Sequence, residues 1–168
     1  MASSLPKGYQ IRKLNSYYTS WHQQQEDPRP LLVHCMQSTY QELYPQQKNF
    51  AHLKETVQRY FSPQTPVWLV ETTDAPHPSI AACLWMGTAI DQITGGKYAH
   101  IFLIFVTPQH RRRGIGKAMM KVAEDWAKDR GDRQIGLQVF PSNQAALNLY
   151  QNLGYLNQSF TMTKILDE

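Results

Sequence analysis

The sequence predicts a mixed α/β fold around a mostly antiparallel sheet. Three observations predict it. Apolar runs at Val67–Glu71, Ile80–Ile90 and Tyr98–Val106 are separated by short segments holding Pro76, Pro78 and Gly95-Gly96, the pattern of an antiparallel meander. Before those runs, apolar residues recur at helical spacing. After them, helical and alternating stretches succeed one another. The resulting order is β-α-α-β-β-β-α-β-α-β.

Taken in order, Tyr9–Leu14 alternates and reads as the first strand. Residues 21–30 are polar, Gln-rich and broken by Pro28 and Pro30. Pro30 suits the first turn of a helix, where its missing N–H costs nothing, and Asp27 lies near that start. Leu31, Cys35, Met36, Tyr40 and Leu43 carry the helix up to Pro45. Phe50, Leu53, Val57 and Tyr60 mark a second helix, stopped at Ser62-Pro63. The meander follows. Its run Ile101–Val106 is apolar on both faces, which predicts a central strand covered on both sides. Ile115, Met119, Val122, Ala123 and Trp126 then form one stripe of a helix, and Lys117, Lys121, Glu124, Asp125 and Lys128 lie opposite. Ile135, Leu137 and Val139 alternate with polar or small residues and read as a strand. Ser142 or Asn143 caps a helix carrying Ala146, Leu149, Tyr150 and Leu153, which ends at Gly154. Phe160–Leu166 reads as a final strand. With no internal repeat and no linker, residues 1–168 read as a single domain.

Composition narrows the function. A chain of 168 residues buries roughly 70% of its unfolded surface and needs no disulfide or metal staple. Its 42% hydrophobic content is too high for a disordered chain. No apolar run reaches the ~18 residues of a membrane-spanning helix. Cys35 and Cys83 sit in apolar stretches and read as buried thiols. The histidines show no His-x-x-x-His spacing and the cysteines no Cys-x-x-Cys, so no metal is expected. Met1–Gly8 lacks the apolar core of a signal peptide, so the expected place is a reducing, cytoplasmic one. Lys plus Arg exceeds Asp plus Glu by 17 − 13, a net charge of +4. That excess admits a polyanion or a phosphate-bearing ligand.

The most informative segment is Val106–Lys117, VTPQHRRRGIGK. A strand ends at Val106, a polar arginine- and glycine-rich loop follows, and an amphipathic helix begins near Gly114. The first turn of a helix offers free N–H groups and the positive end of its dipole. Glycines let a phosphate approach the backbone. Arg111, Arg112, Arg113 and Lys117 add charge, and these four equal the whole net excess. The pattern points to a phosphate or pyrophosphate. Two familiar phosphate motifs do not fit. A Walker loop needs glycine where Arg111 stands and Ser or Thr where Ala118 stands. A dinucleotide fingerprint needs a third glycine where Met119 stands.

Downstream, Asn143–Tyr155 reads NQAALNLYQNLGY. Together the two segments resemble the signatures of the GCN5-related N-acetyltransferase (GNAT) superfamily. Its pyrophosphate loop is Arg/Gln-x-x-Gly-x-Gly/Ala, which Arg111–Gly116 fits. Its second signature is Asn-x-x-Ala-x-x-Leu-Tyr-x-x-x-Gly-Phe/Tyr, which Asn143–Tyr155 fits. The resemblance covers Tyr98–Tyr155, and elsewhere only the order of elements. It implies a central, splayed, mostly antiparallel sheet of about six to seven strands flanked by about four helices. It also implies an enzyme that moves an acetyl group from acetyl-CoA to an amine in a ternary complex. The acceptor would be a small molecule or a peptide, without nucleic acid, and homodimers are frequent in the family.

The resemblance carries roles onto residues. Arg111, Arg112, Arg113, Gly114, Ile115, Gly116 and Lys117 would hold the pyrophosphate of acetyl-CoA. Main-chain groups of Phe105 and Val106 would bind the acetyl and pantetheine parts, with the Val106 N–H donating to the thioester oxygen. Asn143 would contact the cofactor, although a helix cap is an independent reason for Asn there. Tyr150 would protonate the departing CoA sulfur, a role that suits a phenol at neutral pH. The base is less readable. Many family members carry a glutamate in the stretch that here reads Ile101-Phe102-Leu103-Ile104. His100 is the nearest titratable group and shares strand parity with Val106. Water and Glu71 are the alternatives. Tyr40, Tyr44, Trp85, Tyr155 and Phe160 could line the acceptor site.

Two other classes compete. A nucleic-acid module would spread basic residues along a stripe with interleaved aromatics, whereas here the charge concentrates at Arg111–Arg113. A CoA-binding protein of the same fold without catalysis is kept open by the missing strand carboxylate.

Overall fold

The computed structural model describes residues 5–14, 27–74 and 76–166. The polar residues 21–26 lie outside them. Five strands appear among the described residues: β1 (Tyr9–Lys13), β2 (Val67–Thr72), β3 (Ile80–Ile90), β4 (Lys97–Val106) and β5 (Ile135–Leu137). The helices are α1 (Arg29–Leu43), α2 (His52–Tyr60), α3 (Ile115–Asp129) and α4 (Gln144–Asn152). The strands lie side by side in chain order. β1 to β4 are antiparallel neighbours, and β5 runs parallel to β4. A parallel neighbour needs a crossover, which α3 supplies.

Local chemistry explains several boundaries. Pro30 sits in the first turn of α1, and the Arg29 N–H donates to Asp27 Oδ1 at 3.0 Å. Capping of this kind is worth about 1 kcal/mol. Burial of Leu32, Cys35 and Met36 contributes more, at about 2 kcal/mol for each large apolar side chain. Packing therefore holds α1 in place more than its terminus does. Between β3 and β4, Asp91 Oδ1 accepts from the N–H groups of Ile93 and Thr94 and closes the turn.

The sheet separates two layers. Val67, Leu69, Cys83, Trp85, Leu103 and Phe105 share one face and pack with Leu32, Cys35 and Met36 of α1 and Leu53 and Val57 of α2. On the other face Trp68 meets Trp126 of α3 edge-on at 6.1 Å. Arg130, just after α3, donates to Thr88 Oγ1 at 3.0 Å. Both cysteines are free thiols buried in the first layer. The hydrogen bond to Cys35, followed by burial, pushes the Cys83 thiol well up, so it stays protonated.

A β-bulge breaks the β3–β4 register. Trp85 faces Leu103 and Met86 faces Ile101, so Phe102 is an extra residue on β4. The bulge puts Ile101 and Leu103 on opposite faces, and the strand is covered on both sides as its apolar run predicts. It also overturns the shared parity of His100 and Val106. His100 pairs with Gly87, two residues from Trp85, whereas Val106 pairs with Ala82, three residues from Trp85. A period of two then places their side chains on opposite faces. The Phe102 ring lies against Trp85 at 4.9 Å and occupies the space above Gly87.

The chain divides into two compact units, Met1–Gln138 and Val139–Glu168. In the second unit α4 begins at Asn143, whose Oδ1 accepts from the Ala146 N–H at 3.3 Å. The sheet has fewer strands than the expected six to seven. The strand expected over Ile135–Val139 stops at Leu137, because Pro141 and the turn into α4 end the ladder. The strand expected at Phe160–Leu166 is not formed. Residues 155–166 take no regular structure, and Phe160 and Met162 are 84% and 91% exposed. Their apolar alternation is present, but a strand needs a ladder partner and no described strand pairs with them.

Gly87→Ala tests the bulge. A Cβ at Gly87 would lie 2.1 Å from Phe102 Cε2. Displacing this half-buried ring, which packs on Trp85, should cost about 2 kcal/mol. A denaturant titration should show the midpoint falling with an unchanged slope; an unchanged midpoint contradicts the packing.

Candidate active site

The site begins with an unpaired edge. β5 pairs with β4 only from Ala99↔Ile135 to Ile101↔Leu137. Beyond Ile101, β4 has a ladder partner on the β3 side alone among the described residues. The Thr107 N–H donates to the Ala81 carbonyl on that side at 2.9 Å. Successive residues in a strand point their main-chain groups to opposite sides. The N–H and C=O of Val106 therefore face the open edge. The carbonyl accepts from Arg111 Nε at 2.9 Å.

The loop after β4 forms a 3-10 turn at Pro108–His110 and then bends sharply. Arg112 has φ 62° and Gly114 has φ 84°. A positive φ is uncommon outside glycine, and its presence at Arg112 marks backbone strain in this loop. Left-handed turns of this kind bring neighbouring N–H groups to one side, as in main-chain anion cradles. The first main-chain bond of α3 runs from the Ala118 N–H to the Gly114 carbonyl at 3.0 Å. The N–H groups of Ile115, Gly116 and Lys117 precede that ladder and await other acceptors.

The loop's side chains also have partners within the protein. Arg111 grips Glu42 of α1 with two bonds of 2.8 Å, and its guanidinium carbon lies 5.9 Å from the centre of the Phe105 ring. Arg113 donates to the Tyr9 hydroxyl at 3.0 Å, and that hydroxyl bonds His110 Nδ1 at 2.7 Å. Arg112 and Lys117 are both exposed and carry no such bond among the described residues. Arg111 is thus ion-paired with Glu42, whereas Arg113 keeps its charge beside the neutral Tyr9 hydroxyl, and Arg112, Arg113 and Lys117 are all exposed. Sequence reading missed Glu42 and Tyr9, because their partners lie 69 and 104 residues away with no motif between them.

His100 stands among rings, 5.4 Å from Phe102 and 6.2 Å from Tyr98 between centroids. Burial holds its pKa below the ordinary imidazole value, and its buried Nδ1 finds no hydrogen-bond partner among the described residues. Glu71 is paired with Arg12 at 2.7 Å. That bond keeps the carboxyl below its ordinary range against the opposing pull of burial. A carboxylate held this way is a weak base. Trp85 is buried in the core beneath α1 and α2, so it is not an open acceptor wall. Tyr40 is half-buried against that core, and Tyr44 and Phe160 are exposed.

In the second unit Tyr150 is buried, and its ring lies 6.0 Å from that of Tyr155. Burial pushes its pKa up to about 12. The phenol thus keeps its proton through neutral pH. Asn143 serves as a helix cap in its own right.

The sequence matches the acetyltransferase (GNAT) family over residues 20–155. An uncharacterized N-acetyltransferase of Methanocaldococcus jannaschii is 40% identical over 73 residues, which are 44% of this chain and 30% of that protein. The chain spans less than half the length of the curated relatives it matches. Among solved structures, a putative acetyl transferase from Pyrococcus furiosus aligns with a TM-score of 0.68 at 24% identity, covering 94% of this chain and 99% of that one. An aminoglycoside N-acetyltransferase in complex with CoA aligns at 0.61 and 17% identity, covering 97% and 99%. At these identities the structures speak for the fold.

Arg12→Met tests the state of Glu71. With the guanidinium gone, the Glu71 carboxyl should titrate at higher pH, nearer its ordinary range. In the folded protein its stabilising share is present above the unfolded pKa and lost as pH falls through the depressed one. Carboxyl 13C shifts followed by pH titration will show an upward move; no move contradicts the pairing.

Proposed function

The chain belongs to the acetyltransferase (GNAT) family, and on that premise we propose that it transfers an acetyl group from acetyl-CoA to an amine acceptor in a ternary complex. The observation that carries this reading is the loop of Arg112–Lys117, with its two positive-φ residues and free first-turn N–H groups, next in chain to the open edge at Val106. It supports binding of a pyrophosphate by main-chain N–H groups, with Arg112, Arg113 and Lys117 supplying charge. Phe105 and Val106 would align the pantetheine arm along the unpaired strand. In this proposal residues 1–168 work as one acetyltransferase domain.

The chemistry follows from the groups available. The acceptor amine attacks the thioester carbonyl carbon, and a C–N bond forms as the C–S bond breaks. Charge on the carbonyl oxygen is met by the Val106 N–H. The amine proton passes to His100 or to water; Glu71 is disfavoured by its pairing with Arg12. The CoA sulfur leaves as thiolate and takes the proton of Tyr150, which burial keeps protonated at neutral pH, and the phenolate then regains a proton from water. Asn143 would reach the cofactor through atoms that its capping bond leaves over.

Calorimetry with acetyl-CoA and CoA, followed by an amine screen reading free thiol, tests the proposal. The expected result is binding in the micromolar range and thiol release with at least one amine. No heat with either ligand overturns it, and binding without thiol release from any amine class points to a CoA-binding protein without catalysis. Tyr150→Phe should lower kcat about 100-fold while acetyl-CoA binding is kept; unchanged turnover removes its role as acid.

A second measurement separates the bases. Burial favours neutral His100, so as the base it stays competent below the ordinary imidazole value of about 6.5. The acidic limb of the pH–rate profile should then fall below that value and vanish in His100→Ala. A limb that survives the substitution removes His100 as the base and points to water or Glu71.

A further inference from the structure

We propose that Glu42 is a positioning residue that acts through Arg111 on the Val106–Thr107 peptide and thereby sets the aim of the Val106 N–H. The proposal rests on the reading of that N–H as the donor to the thioester oxygen.

One guanidinium serves two elements. Its terminal nitrogens meet both carboxylate oxygens of Glu42 at 2.8 Å, and its Nε meets the Val106 carbonyl at 2.9 Å. The peptide joining Val106 to Thr107 is planar, and it is held at both ends. Arg111 takes its carbonyl, and its N–H donates to Ala81 at 2.9 Å. Without Arg111, the carbonyl would face an edge with no ladder partner. A peptide pinned on both sides leaves the preceding N–H, that of Val106, little freedom to turn.

Stability is a poor explanation for the Glu42–Arg111 pair. The two side chains are 44% and 39% exposed, and exposed pairs contribute at most about 1 kcal/mol. Glu42 also stands in the last turn of α1, where the negative end of the helix dipole disfavours a carboxylate. Arg111 offsets that cost. The pairing also neutralises Arg111, which leaves phosphate binding to the cradle, Arg112, Arg113 and Lys117. A bidentate grip orients a planar guanidinium in a way that a lone charge cannot.

The experiment compares wild type with Glu42→Gln and Glu42→Ala. In the ligand-free proteins, 1H–15N spectra and amide exchange of Val106 and Thr107 report on the peptide directly. Steady-state kinetics and calorimetry with acetyl-CoA report on its use. Glu42→Ala should shift both amides, speed their exchange and lower kcat about tenfold, with the Kd for acetyl-CoA held within about twofold. Glu42→Gln keeps one acceptor oxygen and should fall between. Unchanged amides overturn the proposal. So does an unchanged kcat with acetyl-CoA bound about tenfold more weakly, which would make Arg111 a phosphate ligand. If wild type fails to turn over, the proposed function falls, while the amide readout still decides whether Glu42 acts on Val106.

Discussion

Past Ile101, β4 loses its β5 partner and keeps only β3. A strand edge that is not paired must place its N–H and C=O groups elsewhere. At Val106 the carbonyl goes to Arg111, and in the proposed reaction the N–H meets the thioester oxygen. The loop that follows is shaped by the same demand. Its first arginine turns back to the edge, and the sharp turn at Arg112–Gly114 follows. α1 enters because the returning arginine needs a counter-charge, which Glu42 supplies. Opening the ladder thus organises strand, loop and helix together.

The bulge at Phe102 works on a different axis. It rotates the first half of β4 relative to the second, so His100 looks to the layer of α1 and α2 while Val106 looks to the layer of α3. Proton acceptance at His100 would therefore take place on one face of the sheet, with the Val106 N–H lying in the plane of the strand. Gly87 makes the arrangement possible by leaving room for a ring where any other residue places a carbon.

Most elements were legible in the sequence, because period and punctuation determine them. Helical stripes gave α1, α2, α3 and α4, and the Gly/Pro-separated runs gave β2, β3 and β4. The loop's place between a strand and a helix was legible from its order of strand, glycine and helix. The bulge was not: Ile101–Val106 is apolar throughout, so no polar residue marks where parity changes. The roles of Arg111 and Arg113 were not legible either. Three adjacent arginines look alike in sequence, and their partners come from residues far away along the chain. At Phe160–Leu166 the alternation was a real pattern without a partner, and pattern alone does not make a strand.

The contact of Tyr9 with His110 and Arg113 places one end of the loop on the outermost strand of the sheet. Ordering a free loop around a ligand costs conformational entropy at the moment of binding. Here part of that cost is met when the sheet folds, before any ligand arrives. The ninth residue of the chain is thus tied to a loop that begins nearly a hundred residues later. The two hydrogen bonds to the Tyr9 hydroxyl make the first strand an anchor for the loop, and changes near the start of the chain reach the loop without touching it.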